Sequence, residues 1–556
     1  MTLRQKSMKV QASLEEIPSA EPVLTAALPL LKSGRSIYEV AKELNCSRAT
    51  LREQHIAFQG IELPQAIKEA FISNEGREFL KRLVIAAHVQ FRNICACGLR
   101  QIGAFLSACG LDQLIGASLG CQWNLSKQID EGISQFGSEE IAAMAPTVQG
   151  KAITAALDEN FHEGPCLVGI EPASNFILVE EAVCSRDTAD WQNAFAPVLA
   201  LLGVKIAQVT SDCGQSIVAL CEKVFEAHHS PDLFHILYDF RRTFKPFLRA
   251  AYRDIHKSLC SSEREEDALS RMKNRWEAMT SSERGRGRPP DFAKQFQLQD
   301  AIQETLFRNL AELERHDNEL KVALRAVSQA YQPVSIETGV RTGRANLEAL
   351  AAVAAAKAQL LIEKYAFPEE ATKALEKFLR MVEKMAATLD HVAALWRARA
   401  GIATSSMQER YCLESKLVCS AYLERIAKTQ GTLKRHELLS RAKLLVIEAR
   451  HIIGEAKVAE LYPVATQMAH DFQRSSSMVE GRNGVLSLRH HAFHELSPLK
   501  RKVLTTLHNH VLKRVDGTTA AERFSNVKSR NLLDWLCERI QFLPKAGGKK
   551  ELRLAA

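Results

Sequence analysis

Short apolar runs replace helical periodicity between residues 151 and 240. Three of them, separated by turn residues, predict an antiparallel meander of three strands: KAITAALDE, PCLVGIEP and NFILVEEAV. The segments that follow alternate between helical and strand patterns: TADWQNAFAPVLALLG, VKIAQVTSD, GQSIVALCEKVFEAH and PDLFHIL. This order predicts a mixed α/β fold, in which helices cover a sheet of antiparallel and parallel strands.

A helical period dominates residues 61–150 and 246–470, where apolar side chains recur three and four positions apart. The clearest helix begins at Pro368, since proline is favoured in the first helical turn. Its predicted core-facing stripe consists of Leu375, Phe378, Leu379, Val382, Met385, Ala386, Leu389, Val392 and Trp396. We therefore expect two all-helical regions, one on each side of the predicted sheet strands.

The pattern near the start of the chain predicts two short helices joined by a tight turn. Ser36 is placed to cap the first helix, and Ser47 is placed to cap a second helix that carries Leu51 inward. This arrangement is typical of a helix-turn-helix, whose second helix enters a DNA groove. The side chains expected to face DNA are Arg48, Thr50, Arg52 and Gln54. An ordinary helical hairpin is the alternative.

The composition is that of a globular protein with a mildly basic surface. Hydrophobic residues make up 46% of the 556 positions, charged residues make up 25%, and the net charge is +8. The positive charge fits a polyanionic partner without requiring one. Thirteen cysteines without a CxxC pair indicate reduced thiols. No signal peptide or membrane-spanning run is visible, so we expect a soluble cytoplasmic protein.

Three aspartates lie where the predicted strands meet loops or helices. Asp158 lies in the first strand of the meander, and Asp212 closes the run IAQVTSD. Asp232 is placed at the start of the predicted strand PDLFHIL. Ligands of α/β proteins gather at the carboxyl ends of parallel strands, where an aspartate can bind a metal ion. Each aspartate taken alone could equally cap a helix or end a strand.

An acidic residue far downstream completes a recognisable order. Glu480 lies in the first turn of a predicted helix within SSSMVEGRNGVLSLR. With the segments ALDENFHEG, VTSDCGQS, PDLFHI and VDGTTAAERF, the chain resembles bacterial insertion-sequence transposases of the DDE type. The resemblance implies a ribonuclease-H-like catalytic core, interrupted by the helical residues 246–470 and preceded by the helix-turn-helix. It covers residues 30–60, 150–240 and 475–525, and the order and spacing of the motifs carry it.

The resemblance implies a metal-dependent enzyme that cleaves and joins DNA strands. Asp158, Asp212 and Glu480 would then be the catalytic residues and would bind two Mg²⁺ or Mn²⁺ ions, because hard cations prefer oxygen ligands. Asp232, His235 and Asn483 are expected near the site as accessory residues. The expected partners are the terminal inverted repeats of the element, the target DNA and further copies of the chain. A bacterial, nucleoid-associated location would follow, with no membrane partner.

Basic side chains around and beyond Glu480 are candidates for phosphate contacts. They are Arg482, Arg489, Lys500, Arg501 and Lys502. A charge run of this kind can also be a solvated surface without a ligand.

The predicted layout has six parts. They are a helix-turn-helix domain (1–60), a second helical domain that could also bind DNA (61–150), the first part of the core (151–245), the helical insertion (246–470), the last part of the core with Glu480 (471–530) and a basic tail (531–556). Three other functions are compatible with parts of this pattern: a ribonuclease-H-like nuclease or resolvase, a transposase-derived DNA-binding regulator without catalysis, and a helical scaffold.

Overall fold

The computed structural model describes residues 26–27, 29–31, 33–48, 51, 63–162, 164–284, 287–493, 495–540 and 543. The chain forms two compact units, each built from separate segments. The first unit comprises residues 1–140, 491–507 and 529–556, and the second comprises residues 141–490 and 508–528.

Helices predominate among the described elements. The α-helices are α1 (Ile37–Glu43), α2 (Gln65–Ile72), α3 (Asn74–Ala87), α4 (Leu99–Ala108), α5 (Leu119–Val148), α6 (Thr188–Leu202), α7 (Gln215–Ala219), α8 (Leu233–Ala278), α9 (Phe292–Ala330), α10 (Arg344–Lys364), α11 (Glu369–Ala403), α12 (Met407–Cys412), α13 (Val418–Ala427), α14 (Thr432–Ile453), α15 (Glu455–His470), α16 (Ser477–Phe493), α17 (Pro498–His510), α18 (Ala520–Ser525) and α19 (Leu532–Arg539). The strands are β1 (Ala152–Phe161), β2 (Pro165–Glu171), β3 (Phe176–Ala182), β4 (Lys205–Ser211) and β5 (His228–Pro231).

The five strands form one mixed sheet in the order β3-β2-β1-β4-β5. Strands β1, β2 and β3 make the predicted antiparallel meander, and β4 and β5 continue the sheet parallel to β1. The prediction of a mixed α/β fold with a meander and parallel strands is therefore confirmed at this level. Parallel strands require crossover connections, which α6 supplies between β3 and β4 and α7 supplies between β4 and β5.

The sheet is covered by apolar side chains from the crossover helices. Trp191 and Phe195 of α6 are fully buried against Leu157 of β1 and Val209 of β4. Gly169 of β2 lies under Phe195, since a β-carbon at that position would meet the Phe195 ring at 2.7 Å. Close packing of this kind fixes the strands that carry the candidate site.

The segment predicted as a last strand has a different structure. Residues 233–238 begin the 46-residue helix α8, and the last strand is the preceding, more polar segment His228–Pro231. Asp232 caps the helix, and Leu233, Ile236 and Phe240 are buried at helical spacing. Helix α8 also continues through residue 245, where a domain boundary was predicted, without interruption. A short apolar run does not distinguish the start of a buried helix from a strand.

The helical region that follows has its own hydrophobic core within the second unit. Helix α11 begins after Pro368, as predicted, and Phe378, Met385 and Trp396 of its stripe are buried. Leu379, which was assigned to the same stripe, is 42% exposed at its edge. The indole Nε1 of Trp396 donates to the carbonyl oxygen of Met468 at 2.8 Å, which satisfies its buried polar atom.

The first unit contains the predicted N-terminal helix α1. Ser36 and Glu39 form a reciprocal capping box at its start, and Val40 and Ala41 are buried together with Leu51. Farther along the chain, α19 contributes Trp535, whose ring makes an edge contact with Phe136. The segment predicted as a basic tail thus begins with an ordered helix.

Within the described part of the chain, α10 is long and apolar enough to cross a membrane by length and composition. One such helix is weak evidence, because core helices pass the same test. A third of the most apolar part of α10 is buried. Its side chains Leu347, Ala354 and Leu361 pack in the helical core.

Candidate active site at the carboxyl ends of the parallel strands

Two of the predicted catalytic aspartates lie side by side at one edge of the sheet. Ala156 of β1 pairs with Thr210 of β4 in the parallel register. Asp158 and Asp212 each follow two residues later, so they occupy equivalent positions on adjacent strands. The carboxyl ends of parallel strands are a frequent location of ligand sites, so this placement suits the predicted function.

Asp158 is a partly buried carboxylate with two identified hydrogen-bond donors. The backbone N–H of Glu159 donates to Oδ1 at 2.8 Å, and Nδ2 of Asn483 donates to Oδ2 at 2.9 Å. Burial raises the pKa of Asp158 to about 6, although the Glu159 hydrogen bond lowers it; the Asp212 charge adds to the increase. Two like charges at a partly desolvated position favour a cation between them.

Asp212 is exposed immediately after β4, in a tight turn. Its Oδ1 accepts a hydrogen bond from the backbone N–H of Gly214 at 3.0 Å. Cys213 between them has a φ of +70°, a conformation that costs energy for a residue other than glycine. The hydroxyl of Ser211 supports this turn, because it accepts from Cys213 N–H at 3.2 Å and lies 2.9 Å from Nε2 of His229.

Asp232 lies at the end of β5, level with Asp212, since Ser211 pairs with Pro231 in the register. Unlike Asp212, it is fully buried. Its Oδ1 accepts from the backbone N–H of Phe234 at 2.6 Å. Its Oδ2 accepts from the backbone N–H of Ser476 at 2.7 Å and from the Ser476 hydroxyl at 2.5 Å. Asp232 therefore caps α8 and holds the segment before α16 at the start of α8.

That contact positions Glu480 in the first turn of α16. The Glu480 side chain is 40% exposed, and its Oε1 lies 3.2 Å from Nε2 of His235 on α8. Among the described residues, the buried Nε2 of His235 has no hydrogen-bond partner despite this proximity. Asp232, His235 and Glu480 each offer a metal-binding atom within 4.8 Å of the others, the one such group found among the described residues.

This grouping differs from the predicted set of Asp158, Asp212 and Glu480. Proximity alone would select Asp232, His235 and Glu480 as the ligands. Asp232, however, already accepts three hydrogen bonds in a fully buried position, because Oδ1 caps α8 and Oδ2 binds Ser476. Asp232 is therefore a structural residue, whereas His235 and Glu480 are available to bind a ligand.

Asn483 connects Glu480's helix to the strand aspartates. Its side chain donates to Asp158, and its backbone carbonyl accepts from Nδ2 of Asn160 at 3.2 Å. Its own Oδ1 is buried without a hydrogen-bond partner among the described residues. A buried amide oxygen without a hydrogen-bond partner costs free energy unless a ligand binds it. Asn483 is therefore placed to bind a ligand directly, whereas the sequence predicted only an accessory role.

Two basic residues from the predicted DNA-contacting set are buried ion-pair partners instead. Arg482 is 5% exposed and makes a bidentate pair with Glu180 of β3, at 2.5 and 2.8 Å. Lys500 is 7% exposed in the first unit and donates to Asp130 at 2.9 Å. Their charges are paired with protein carboxylates in buried positions, so neither side chain is placed to contact DNA phosphates as predicted.

The remaining predicted DNA-contacting residues are only partly described. Arg48 is exposed beside the Tyr38 ring, and Lys502 is exposed on α17. Arg489 is partly buried on α16, and Arg501 donates to the carbonyl oxygen of Leu496 at 2.7 Å. Thr50, Arg52 and Gln54 lie outside the described residues.

Several residues that shape the site were not predicted from sequence. Ser476 ties Asp232 to α16, and His229 supports the turn that bears Asp212. Burial lowers the pKa of His229 to about 4, so the ring is neutral near pH 7. A serine before a predicted helix is a signal for a cap, but nothing local identifies a partner 244 positions earlier.

Comparison with known proteins covers one part of the chain. Residues 413–552 match a family described as a family of unknown function (DUF6399). The matched range is about a quarter of the chain and includes α16 with Glu480 and Asn483, but neither β1 nor β4. No curated protein and no solved structure matches the chain.

Proposed function

We propose that the chain is a metal-dependent DNA phosphoryl-transfer enzyme, and specifically a DDE-type transposase. One observation carries the proposal: Asp158 of β1 and Asp212 just after β4 lie level on adjacent parallel strands, and Asn483 of α16 donates to Asp158, with Glu480 one helical turn earlier on α16. Three acids from two strands and a distant helix are the arrangement expected from the sequence resemblance.

The sheet supports this proposal at the level of topology. An antiparallel meander followed by two strands parallel to its first strand is the order expected of a ribonuclease-H-like core. Helices α8 to α15 separate β5 from α16, and α8 starts directly at the sheet edge. In the proposed enzyme, these helices form the insertion that accounts for the distance in sequence between Asp212 and Glu480.

The donor atoms fit a hard divalent cation. Carboxylate oxygens of Asp158, Asp212 and Glu480, with the orphaned Oδ1 of Asn483, are the ligand type that Mg²⁺ and Mn²⁺ prefer. The increase in the pKa of Asp158 indicates that its negative charge is poorly compensated by the protein alone. Two bound ions would activate the attacking oxygen and stabilise the leaving oxygen in an in-line displacement.

The protein residues would prepare the site for this reaction. Asn483 orients the Asp158 carboxylate through its 2.9 Å hydrogen bond, and Gly214 N–H orients Asp212. His235 of α8 is partly buried and lies 3.2 Å from Oε1 of Glu480, where it would help to position that carboxylate. Asp158, with a pKa of about 6, is ionised near neutral pH and would lose its ligand charge in acid.

Charge supports DNA as the substrate. The chain has a net charge of +8, and Arg48 of the proposed recognition helix is exposed. A transposase must bring two DNA ends together, so we propose that the chain acts as a homodimer or larger assembly on element ends and target DNA. Its proposed location is the bacterial cytoplasm, at the nucleoid.

The test is to search the DNA that flanks the reading frame for inverted repeats and to measure cleavage of DNA that carries them. With Mg²⁺ or Mn²⁺, we expect the purified chain to nick at the repeat boundary and to join the new 3′ end to a second DNA. Asp158→Asn, Asp212→Asn and Glu480→Gln should each lower the rate by at least about a thousand-fold while leaving DNA binding intact. Glu181→Gln is the matched control, because Glu181 is an exposed acid on β3, away from the site.

The products separate the proposed enzyme from its alternatives. Nicking without strand joining would identify a ribonuclease-H-like nuclease or resolvase. Binding of the repeats without nicking would identify a DNA-binding regulator. Full activity of Glu480→Gln would remove Glu480 from the catalytic set.

A further inference from the structure

Two aromatic side chains project from α8 directly beside the candidate active site. Phe234 is 55% exposed and Tyr238 is 50% exposed, one helical turn apart. Their rings are stacked, with centroids 5.8 Å apart and planes 16° apart, and the Arg242 guanidinium lies 5.9 Å from the Tyr238 centroid. Exposing two large rings to water costs free energy, so a stacked exposed pair indicates a ligand surface.

The aromatic pair forms one wall of a cavity of about 390 Å³. Residues that line it include Phe234, Leu237, Tyr238, Arg241, Arg474 and Glu480. Glu480 is thus shared between this cavity and the candidate active site. Arg241 and Arg474 are exposed on α8 and on the segment before α16, so the cavity has cationic side chains as well as aromatic ones.

We propose that this cavity receives an unpaired nucleobase of the DNA strand whose phosphodiester lies at the carboxylates. This inference rests on the proposed function and names the form in which the DNA enters the site. A base within the duplex must leave the double helix to stack on Phe234 or Tyr238, since its neighbours in the strand already cover both of its faces. Arg241 and Arg474 would bind the phosphates that flank that nucleotide.

The chemistry of the cavity favours a base over an apolar ligand. Aromatic rings beside arginines are the combination with which proteins bind single-stranded nucleic acid, because bases stack and phosphates pair with the cations. A purely apolar ligand would leave both guanidinium groups at the cavity without an anionic partner from the ligand. The volume is at the small end of the range of ligand cavities, which suits one nucleotide rather than a longer segment.

Binding measurements without divalent metal test the proposal independently of cleavage. The full chain is titrated, in EDTA, into a fluorescein-labelled 20-nucleotide single strand of mixed sequence and into the blunt duplex of the same sequence. Phe234→Ala and Tyr238→Leu should each weaken single-strand binding about ten-fold, and Tyr238→Phe should bind like the wild type. Duplex affinity should change less than about two-fold in all three variants, because paired bases do not reach the rings.

Phe307→Ala is the matched control, since Phe307 is 55% exposed on α9, outside the cavity. It should leave both affinities unchanged. Absence of single-strand binding by the wild type would overturn the proposal, as would equal losses on single strand and duplex or a Tyr238→Leu variant that binds like Tyr238→Phe. Loss of cleavage in Asp158→Asn is measured separately, so a failed stacking test leaves the catalytic proposal standing, and the reverse also holds.

Discussion

Three aspartates lie level with one another on three adjacent parallel strands, Asp158 within β1 and Asp212 and Asp232 just after β4 and β5, and their environments differ. Asp158 and Asp212 lie beside each other. In the described hydrogen bonds, each of their carboxylate oxygens accepts at most one. Asp232 lies level with Asp212, yet three hydrogen bonds from Phe234 and Ser476 occupy its two oxygens. Asp212 and Asp232 therefore occupy the same position in the strand register, but only the carboxylate of Asp212 is available to a ligand.

The difference between Asp212 and Asp232 shows what determines the role of an aspartate that follows a strand. After β4 the chain turns with a positive φ at Cys213 before α7, so Asp212 stays exposed. After β5 the chain enters α8 at once, so Asp232 becomes the helix cap. The element that follows the strand, rather than the strand itself, decides whether the carboxylate stays exposed or binds the backbone.

The largest expected effect concerns the stability supplied by Asp232. Asp232→Ala should lower the free energy of unfolding of the second unit by about 3 kcal/mol, because it removes the acceptor of three hydrogen bonds, two of them from the buried Ser476. Calorimetry of the full chain measures the change as a lower transition temperature. Asp212→Ala should change stability far less, since Asp212 is exposed.

Asp232→Asn is the variant that separates a cap from a ligand. Asparagine also caps helices through its amide oxygen, although its amide nitrogen cannot accept from the Ser476 N–H, so this variant should fold with lower stability and retain most of its DNA cleavage. Cleavage by Asp232→Asn as low as that of Asp212→Asn, in a folded protein, would show that Asp232 acts as a ligand after all.

The second expected effect is a gain of stability at Asp158 in the absence of metal. Folding raises the pKa of this carboxyl from 3.8 to about 6, so the folded state disfavours its ionised form. The resulting cost is absent below about pH 4, grows between about pH 4 and 6, and is complete above that range. Asp158→Asn removes the cost, so in EDTA it should be more stable than the wild type near pH 7, by on the order of 2 kcal/mol.

Urea unfolding at several pH values measures this difference. The advantage of Asp158→Asn should shrink towards zero as the pH falls to about 4. A constant advantage across the range would mean that packing, rather than ionisation, is responsible. Glu181→Gln serves as the control, because neutralising an exposed carboxylate should change the free energy of unfolding little at any of these pH values.

The third expected effect is stabilisation by a divalent cation. At ten times its dissociation constant, Mg²⁺ or Mn²⁺ should stabilise the wild type by about 1.4 kcal/mol. Asp158→Asn and Asp212→Asn should lose this stabilisation, and Asp232→Asn should keep it. The opposite result, a loss in Asp232→Asn alone, would place the ion on the group formed by Asp232, His235 and Glu480.

The sheet could be predicted from sequence because each strand except the last is a local apolar run. The start of α8 could not, since PDLFHIL carries the same apolar content as a strand while Asp232 and the buried Leu233 and Ile236 belong to a capped helix. Strand β5 is the polar segment HHSP, whose place depends on backbone pairing with β4 rather than on a side-chain pattern.

Long-range ion pairs account for the other differences. Arg482 has the sequence context of a surface residue, but its partner Glu180 lies 302 positions earlier on β3. Helix α16 turns Arg482 to the sheet, while Glu480 and Asn483 face the site. Spacing along a helix predicts which residues share a face, whereas the identity of the neighbour on each face requires the tertiary structure.

The smallest expected effect concerns the hydroxyl of Ser476, which connects Asp232 to the helix that carries Glu480. Ser476→Ala removes the donor at 2.5 Å from Asp232 but keeps the backbone N–H at 2.7 Å, so it should cost about 1 kcal/mol. Ser477→Ala, at an exposed neighbour, should cost less than about half of that. In a double-mutant cycle, Ser476→Ala should add little to Asp232→Ala, because both changes remove the same contact. Full additivity would mean that Ser476 and Asp232 stabilise the fold independently and that Asp232 does not position Glu480's helix through this hydroxyl.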